Sequence, residues 1–190
     1  FRLLNKYKTP FVFASSQMSN MSYSPYGVMK RVGELHTTAL KGLIVKFWNV
    51  YGIEKDMEKA HVITDFIRRG FEEGEFEMLT DGTEQRQFLY AEDCCEALET
   101  VMECYSDFKP TDPLHITSFN TTTINDIATH IQGYFNGIGK FDVKIKPGFA
   151  KDSVQMDKRN EADTYITGWW TPKTGIADGI AKVFDEMKND

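Results

Sequence analysis

The sequence predicts an α/β fold built on a parallel sheet, and three observations carry that prediction. The opening third alternates strand, helix and strand. A sharp helix-start signal, Ser24-Pro25, stands between the two strands. Short apolar runs and helix-spaced apolar residues then continue to the end, with no internal repeat and no low-complexity linker.

Pro10-Phe11-Val12-Phe13-Ala14-Ser15 is a short apolar run and is expected to be a buried strand ending in the polar Ser15-Ser16-Gln17. Ser24 supplies a cap and Pro25 suits the first helical position. Val28, Val32, Leu35 and Ala39 follow at helical spacing as the expected apolar face, and Lys41-Gly42 stops the helix. Leu43 to Trp48 is the next strand, which gives a parallel unit with a right-handed crossover. A helix is expected over 60–73, then two short strands, 76–80 and 86–90, around the turn Asp81-Gly82. A helix over 91–105 has Cys95, Leu98, Val101 and Met102 on its apolar side. A strand at 114–117, helices at 123–135 and 173–187 and a strand at 143–146 complete the pattern.

The 190 residues suffice for one domain or two small ones. A net charge of -6 with no basic stripe argues against nucleic acid as a partner. No apolar run approaches the roughly 20 residues of a membrane span, and the first residues do not read as a signal peptide. Cys94, Cys95 and Cys104 are an odd set without regular spacing, so they are expected to be free thiols, with Cys94 and Cys95 buried. The four histidines are scattered, and no metal site is expected. A reducing, cytoplasmic compartment follows as the expectation.

The chemistry-bearing residues are Ser16, Tyr26 and Lys30. Tyr26 and Lys30 are four apart on the expected helix and project from one face. Ser16 stands at the carboxyl end of the preceding strand, where open α/β sheets place ligands. A phenol titrates near 10 and is a poor base at neutral pH, but a neighbouring ammonium favours its anion. Such a pair can take a proton from a hydroxyl that a serine holds by a hydrogen bond.

These residues resemble the extended short-chain dehydrogenase/reductases, the NAD-dependent epimerase/dehydratase family. Phe11 to Ser16 is similar to the family strand that ends in its catalytic Ser or Thr. Ser24-Pro25-Tyr26-Gly27-Val28-Met29-Lys30, followed by Glu34, is similar to its SPYGxSK segment. Lys46-Phe47-Trp48-Asn49-Val50-Tyr51-Gly52 resembles its R-F-x-N-V-Y-G. Asp81-Gly82 through Arg86-Gln87-Phe88-Leu89-Tyr90 and Asp93, and Gly168-Trp169 with Pro172-Lys173-Thr174, resemble two later motifs.

The resemblance implies the C-terminal part of a Rossmann-like doubly wound parallel sheet plus a small α+β substrate-binding domain. Residues 1–50 and 88–120 would be a partial nucleotide-binding domain, and 51–87 with 121–190 a substrate-binding subdomain. It implies Ser16, Tyr26 and Lys30 as the catalytic trio, with Tyr26 and Lys30 also at the nicotinamide of NAD or NADP. Asn49 and Arg86 would contact the diphosphate of a nucleotide-diphosphate sugar. Asp93 is expected to cap its own helix, and Trp169 and Trp170 to pack at the domain seam. A homodimer through the helices at 24–41 and 91–105 is also implied.

Three departures from the family pattern stand out. The glycine-rich dinucleotide loop is absent from the sequence, so the resemblance implies the later half of the nucleotide domain with an open sheet edge. Only ten positions separate Ser16 from Tyr26, and Lys46 and Gln87 stand where Arg and Asp are usual. Gln17-Met18 after Ser16 lack the acid and base of a 4,6-dehydratase. Epimerisation of a nucleotide sugar through a keto intermediate is therefore the first expectation. A keto-sugar-nucleotide reductase, a 4,6-dehydratase and a non-catalytic binding fragment are the alternatives.

Overall fold

A computed structural model describes residues 1–21, 24–56, 60–151 and 161–189. The architecture is Rossmann-like α/β. A six-residue helix, α1 (Arg2–Tyr7), precedes β1 (Val12–Ser16), α2 (Pro25–Ala39) and β2 (Leu43–Phe47). Then come β3 (Asn49–Tyr51), α3 (Val62–Glu72), β4 (Glu75–Glu77), β5 (Gln85–Tyr90), α4 (Ala91–Glu103) and β6 (Leu114–Ile116). The last elements are β7 (Thr121–Thr123), α5 (Ile124–Gly137), β8 (Lys144–Lys146) and α6 (Ile176–Asn189).

β1, β2 and β6 form a parallel sheet in that order, with Ser16 beside Phe47 and Lys46 beside His115. Among the described residues β1 has one strand neighbour, so its other edge is open. β3 and β5 pair in parallel, and β7 joins β5 in antiparallel fashion. β4 pairs with β8. The 81–82 turn is present, with Gly82 at φ 74°, but the expected strands around it do not form a hairpin. The turn instead docks on the start of α5, where the Asn125 amide donates to the Gly82 carbonyl at 3.0 Å. That contact sends the two strands to different partners.

Two apolar clusters hold the fold. One, around Phe66, Phe76, Ile127, Ile131, Phe135 and Phe184, joins α3, α5 and α6. The other, around Leu43, Val45, Leu89, Val101, Leu114 and Ile116, joins β2, β6 and α4. Burial of side chains of this size contributes about 1.5–3 kcal/mol each. Helix starts are well specified. Ser24 Oγ accepts from the Gly27 amide at 3.1 Å with Pro25 in the first turn, and Thr123 and Asp126 form a reciprocal capping box.

Two expected helix faces are corrected. Val28, Val32, Leu35 and Ala39 point away from the sheet, and Leu35 is 60% exposed. The buried face of α2 is Gly27, Gly33, Glu34 and Thr37. The reason is steric: a Cβ at Gly33 would collide with the Phe13 ring, so the helix approaches β1 on glycine. In α4 the inward residues are Cys94, Ala97 and Val101, while Cys95 and Met102 are exposed. Val101 is buried as expected and Leu98 packs partly against the same cluster, while Cys94 and Ala97 take the inward places expected for Cys95 and Met102. Among the described residues no helix is long and apolar enough to cross a membrane.

Candidate active site

Ser16 ends β1 and its hydroxyl accepts a hydrogen bond from the Met18 amide at 3.2 Å, opening a turn of 3-10 helix over Gln17–Asn20. The first turn of α2 lies directly on this turn, because a Cβ at Gly27 would collide with the Met18 carbonyl. Tyr26, one residue earlier, is therefore carried to the end of β1, where it is 55% exposed. Lys30 Nζ lies 5.4 Å from the centre of the Tyr26 ring and 5.6 Å from that of Phe13. It donates to the Ala14 carbonyl at 2.6 Å. The Phe11 carbonyl accepts from Leu43 on β2, so by strand alternation the Ala14 carbonyl faces the open edge, and Lys30 caps it there. The three predicted catalytic residues thus share one end of one strand–helix unit.

Asn49 and Arg86 are brought together by the parallel pairing of β3 with β5. Asn49 Nδ2 donates to the Gln87 carbonyl at 3.1 Å, which ties its amide to the strand that carries Arg86. Both line a cavity of about 390 Å³ whose wall also includes His61, Arg69 and Thr80 and whose floor is apolar. His61 and Arg69 were not singled out in the sequence, since neither belongs to a recognisable motif. A second cavity of about 480 Å³, lined by Ile53, Phe71 and Met187 among others, contains none of the predicted site residues.

Behind Ser16 lies a buried ionic group. Glu34 Oε1 accepts from Ser15 Oγ and Ser19 Oγ, both at 2.5 Å, and lies 3.3 Å from Lys46 Nζ. Its other oxygen accepts from Arg31 at 2.9 Å. Burial alone would raise the Glu34 pKa. The two serine hydroxyls, Arg31 and Lys46 outweigh it and hold the carboxyl below its ordinary value. Burial lowers the Lys46 pKa, with Glu34 opposing. Lys46 also donates to Asn20 Oδ1 at 2.7 Å. His115, the neighbour of Lys46 on β6, accepts at Nδ1 from Trp48 Nε1 at 3.3 Å. Burial and then the Lys46 charge push His115 down to about 4.

Other motif residues serve packing. Asp93 does not cap its own helix. It accepts from the Lys173 and Thr174 amides at 3.2 and 2.8 Å and so anchors the approach to α6. Trp170 is buried in the β2–β6 cluster, while Trp169 packs on Phe108 and Tyr165. Among the described residues no three His, Cys, Asp or Glu side chains converge as metal ligands.

The parallel sheet β1-β2-β6, with a hydroxyl at one strand end and a Tyr/Lys pair on the next helix, is a Rossmann-like α/β arrangement. Residues 8–116 match the model of the NAD dependent epimerase/dehydratase family, more than half of the chain, and the chain belongs to that family. It is 29% identical over 149 residues to a GDP-L-fucose synthase of Sinorhizobium fredii, covering 73% of this chain and 44% of that protein. It is 26% identical over 184 residues to a candidate UDP-glucose 4-epimerase of Methanocaldococcus jannaschii, covering 88% and 54%. The chain therefore spans about half the length of these relatives. Two solved structures share the fold. One is the NAD-dependent NDP-hexosamine 5,6-dehydratase TunA of tunicamycin biosynthesis (TM-score 0.80, 17% identity, 100% of this chain and 67% of that one). The other is the UDP-glucose 4-epimerase of Thermotoga maritima with UDP-glucose (TM-score 0.78, 18% identity, 99% and 66%).

Proposed function

We propose that this chain carries the catalytic and substrate-binding part of an enzyme that epimerises a nucleotide-diphosphate sugar through a keto intermediate, with NAD as cofactor. The observation that carries this reading is the pairing of two sites by adjoining strands. Lys30 lies 5.4 Å from the centre of the Tyr26 ring and bonds the Ala14 carbonyl of the strand that Ser16 ends, and Asn49 and Arg86 line one cavity reached from β2 through the single residue Trp48.

The exposed Tyr26 hydroxyl and the Lys30 ammonium offer the donor and acceptor set that a ribose diol and a nicotinamide edge require, so these residues fit that end of the cofactor. When bound, the cofactor supplies the hydride acceptor. The chain's own residues do the rest. Tyr26 takes the proton from the sugar hydroxyl, with the Lys30 ammonium 5.4 Å from the centre of its ring. Ser16 Oγ donates to the reacting oxygen while still accepting from the Met18 amide. Arg86, with Asn49, grips the diphosphate, for which a planar guanidinium is suited. Residues 1–50 and 88–120 are read as the nucleotide-binding part and 51–87 with 121–190 as the substrate-binding part, although Phe88 and Tyr90 pack in the first cluster and Ile166 and Trp170 in the second, across that boundary. The exposed apolar stripe of α2, together with Met102 on α4, supports a homodimer through these helices.

The test is interconversion of a sugar nucleotide by this chain with NAD, followed by chromatography of the sugar, with Tyr26→Phe as the control. Loss of turnover by at least about 100-fold in Tyr26→Phe is expected for a general base. Undiminished turnover refutes the assignment. Stoichiometric consumption of reduced nicotinamide would make the enzyme a keto-sugar reductase instead.

A further inference from the structure

We propose that Glu34 and Lys46 are positioning residues that clamp the Ser15–Asn20 segment and so set the orientation of the Ser16 hydroxyl. The inference rests on the reading of Ser16 as the group that holds the reacting oxygen. The Glu34 carboxylate binds Ser15 and Ser19, which flank Ser16 on its two sides at 2.5 Å each. Lys46, on the adjacent strand, closes on both Glu34 at 3.3 Å and Asn20 at 2.7 Å. One carboxylate and one ammonium thus join α2, β1, β2 and the 3-10 turn around a single serine.

The geometry of the clamp argues for precision rather than for bulk stability. Glu34 is 1% and Lys46 3% exposed, and burying an ion pair costs several kcal/mol of hydration that its attraction only partly returns. An apolar pair of similar volume would hold the helix on the sheet at least as well. What apolar groups cannot do is fix two hydroxyls in direction. Here Ser15 and Ser19 both donate to one oxygen of Glu34, which leaves the backbone from 15 to 19 little freedom. Within that span the Met18 amide donates to Ser16 Oγ and the Met21 amide to the Met18 carbonyl at 3.0 Å. A reacting hydroxyl must be held to within a fraction of an ångström of its productive position, and supporting hydrogen bonds of this kind provide that.

The test uses the chain as it stands, with Glu34→Gln, Lys46→Met and Lys46→Arg, the last retaining the charge and its donors. Amide exchange and proton shifts of Met18 and Met21 are read by NMR, with urea unfolding measured alongside. In Glu34→Gln and Lys46→Met, the Met18 and Met21 amides are expected to exchange about ten-fold faster while those of Ile127 and Ile131, in the other cluster, are unchanged; local and global openings separate in this way. The Met18 shift should move, because it reports donation to Ser16, and Lys46→Arg should lie within about two-fold of the parent. In the sugar-nucleotide assay the two disrupting variants should lower kcat with KM retained, and Lys46→Arg should restore it. Exchange that rises uniformly, or not at all, overturns the clamp; faster local exchange with unaltered kcat overturns its positioning role. Should Glu34→Gln fail to fold, Lys46→Met against Lys46→Arg carries the same comparison. Full turnover in Ser16→Ala would instead remove the role of Ser16 and leave the exchange result standing.

Discussion

Acid should destabilise this protein through His115 before its carboxylates titrate. His115 is 6% exposed on β6, faces Lys46 across the strand pair, and accepts from Trp48 at Nδ1. Burial first, and the Lys46 charge second, push its pKa from 6.5 to about 4, with Asp163 and Glu34 opposing. The folded value lies below the unfolded one, so the folded state keeps the ring neutral. As pH falls through 6.5 the unfolded chain takes up a proton that the folded chain refuses, and stability declines until the folded ring titrates near 4. The interval from 6.5 to about 4 corresponds to roughly 3 kcal/mol at 1.36 kcal/mol per tenfold change in proton affinity. That is a large part of the 5–15 kcal/mol typical of a domain.

The assay is urea unfolding at several pH values between 7.5 and 4 for the parent and for His115→Asn. The Asn carboxamide oxygen can take the place of Nδ1 as the acceptor for Trp48, and it does not titrate. The parent's stability relative to the variant should shrink by about 3 kcal/mol over this range. Glu34 shifts in the same direction, so it too loses stability in acid: its stabilisation is present above the ordinary value of 4.5 and is lost as pH falls through the lower folded value. That loss is common to both proteins and cancels in the difference. Parallel stability curves for the two proteins would refute the argument that His115 is held neutral.

Three further outcomes follow from the packing. Gly33→Ala should destabilise by about 1–3 kcal/mol in urea unfolding although alanine favours helix, because its Cβ meets the Phe13 ring. Phe135→Ala should cost about 3–5 kcal/mol, since that ring is fully buried against Phe71 and Phe184 at 4.8 Å. Leu35→Glu should change monomer stability by less than about 0.5 kcal/mol, because Leu35 is exposed. In analytical ultracentrifugation it should halve the molecular mass if α2 joins two copies.

Much of the fold was legible because local signals agreed with tertiary demands. Ser24-Pro25 begins a helix whatever packs against it, and Leu43 to Phe47 is apolar enough to be strand in any context. Helical periodicity, by contrast, shows that a stripe exists and not what covers it. Val28, Val32 and Leu35 have the spacing of a core face, yet the sheet takes the glycine face because Phe13 fills the space beneath Gly33. Strand partnership was equally hidden. Asp81-Gly82 is a sound turn signal, but Asn125, more than forty positions later, decides where the turn docks. At the site, Ser16, Tyr26 and Lys30 were visible from spacing and from resemblance. His61 and Arg69 reach the cavity through α3, which carries no motif. Glu34 was visible only as a position in a pattern; its partners Ser15, Ser19 and Lys46 needed the sheet register to be assembled.

The connection between the two halves of the site is geometric and short. Ser16 pairs with Phe47, and neighbouring strands lie about 4.8 Å apart. Asn49 is two residues beyond Phe47, at most about 7 Å along an extended chain. The Cα atoms of Ser16 and Asn49 therefore lie within roughly 12 Å of each other whatever the path through Trp48. On the reading proposed above, the cavity of Asn49 and Arg86 and the Ser16 hydroxyl are thereby linked by a single run of backbone from Leu43 to Tyr51. The same run contributes Lys46 to the clamp beneath Ser16 and Asn49 to the cavity. Lys46 acts on the Ser16 end and is not part of the cavity wall, so Lys46→Met is expected to lower kcat with KM retained, whereas a change confined to α3, such as Arg69→Ala, should raise KM alone. Comparing KM and kcat for Lys46→Met and Arg69→Ala measures that difference. Equal effects of the two substitutions on kcat would refute the division of labour between the two ends of the site.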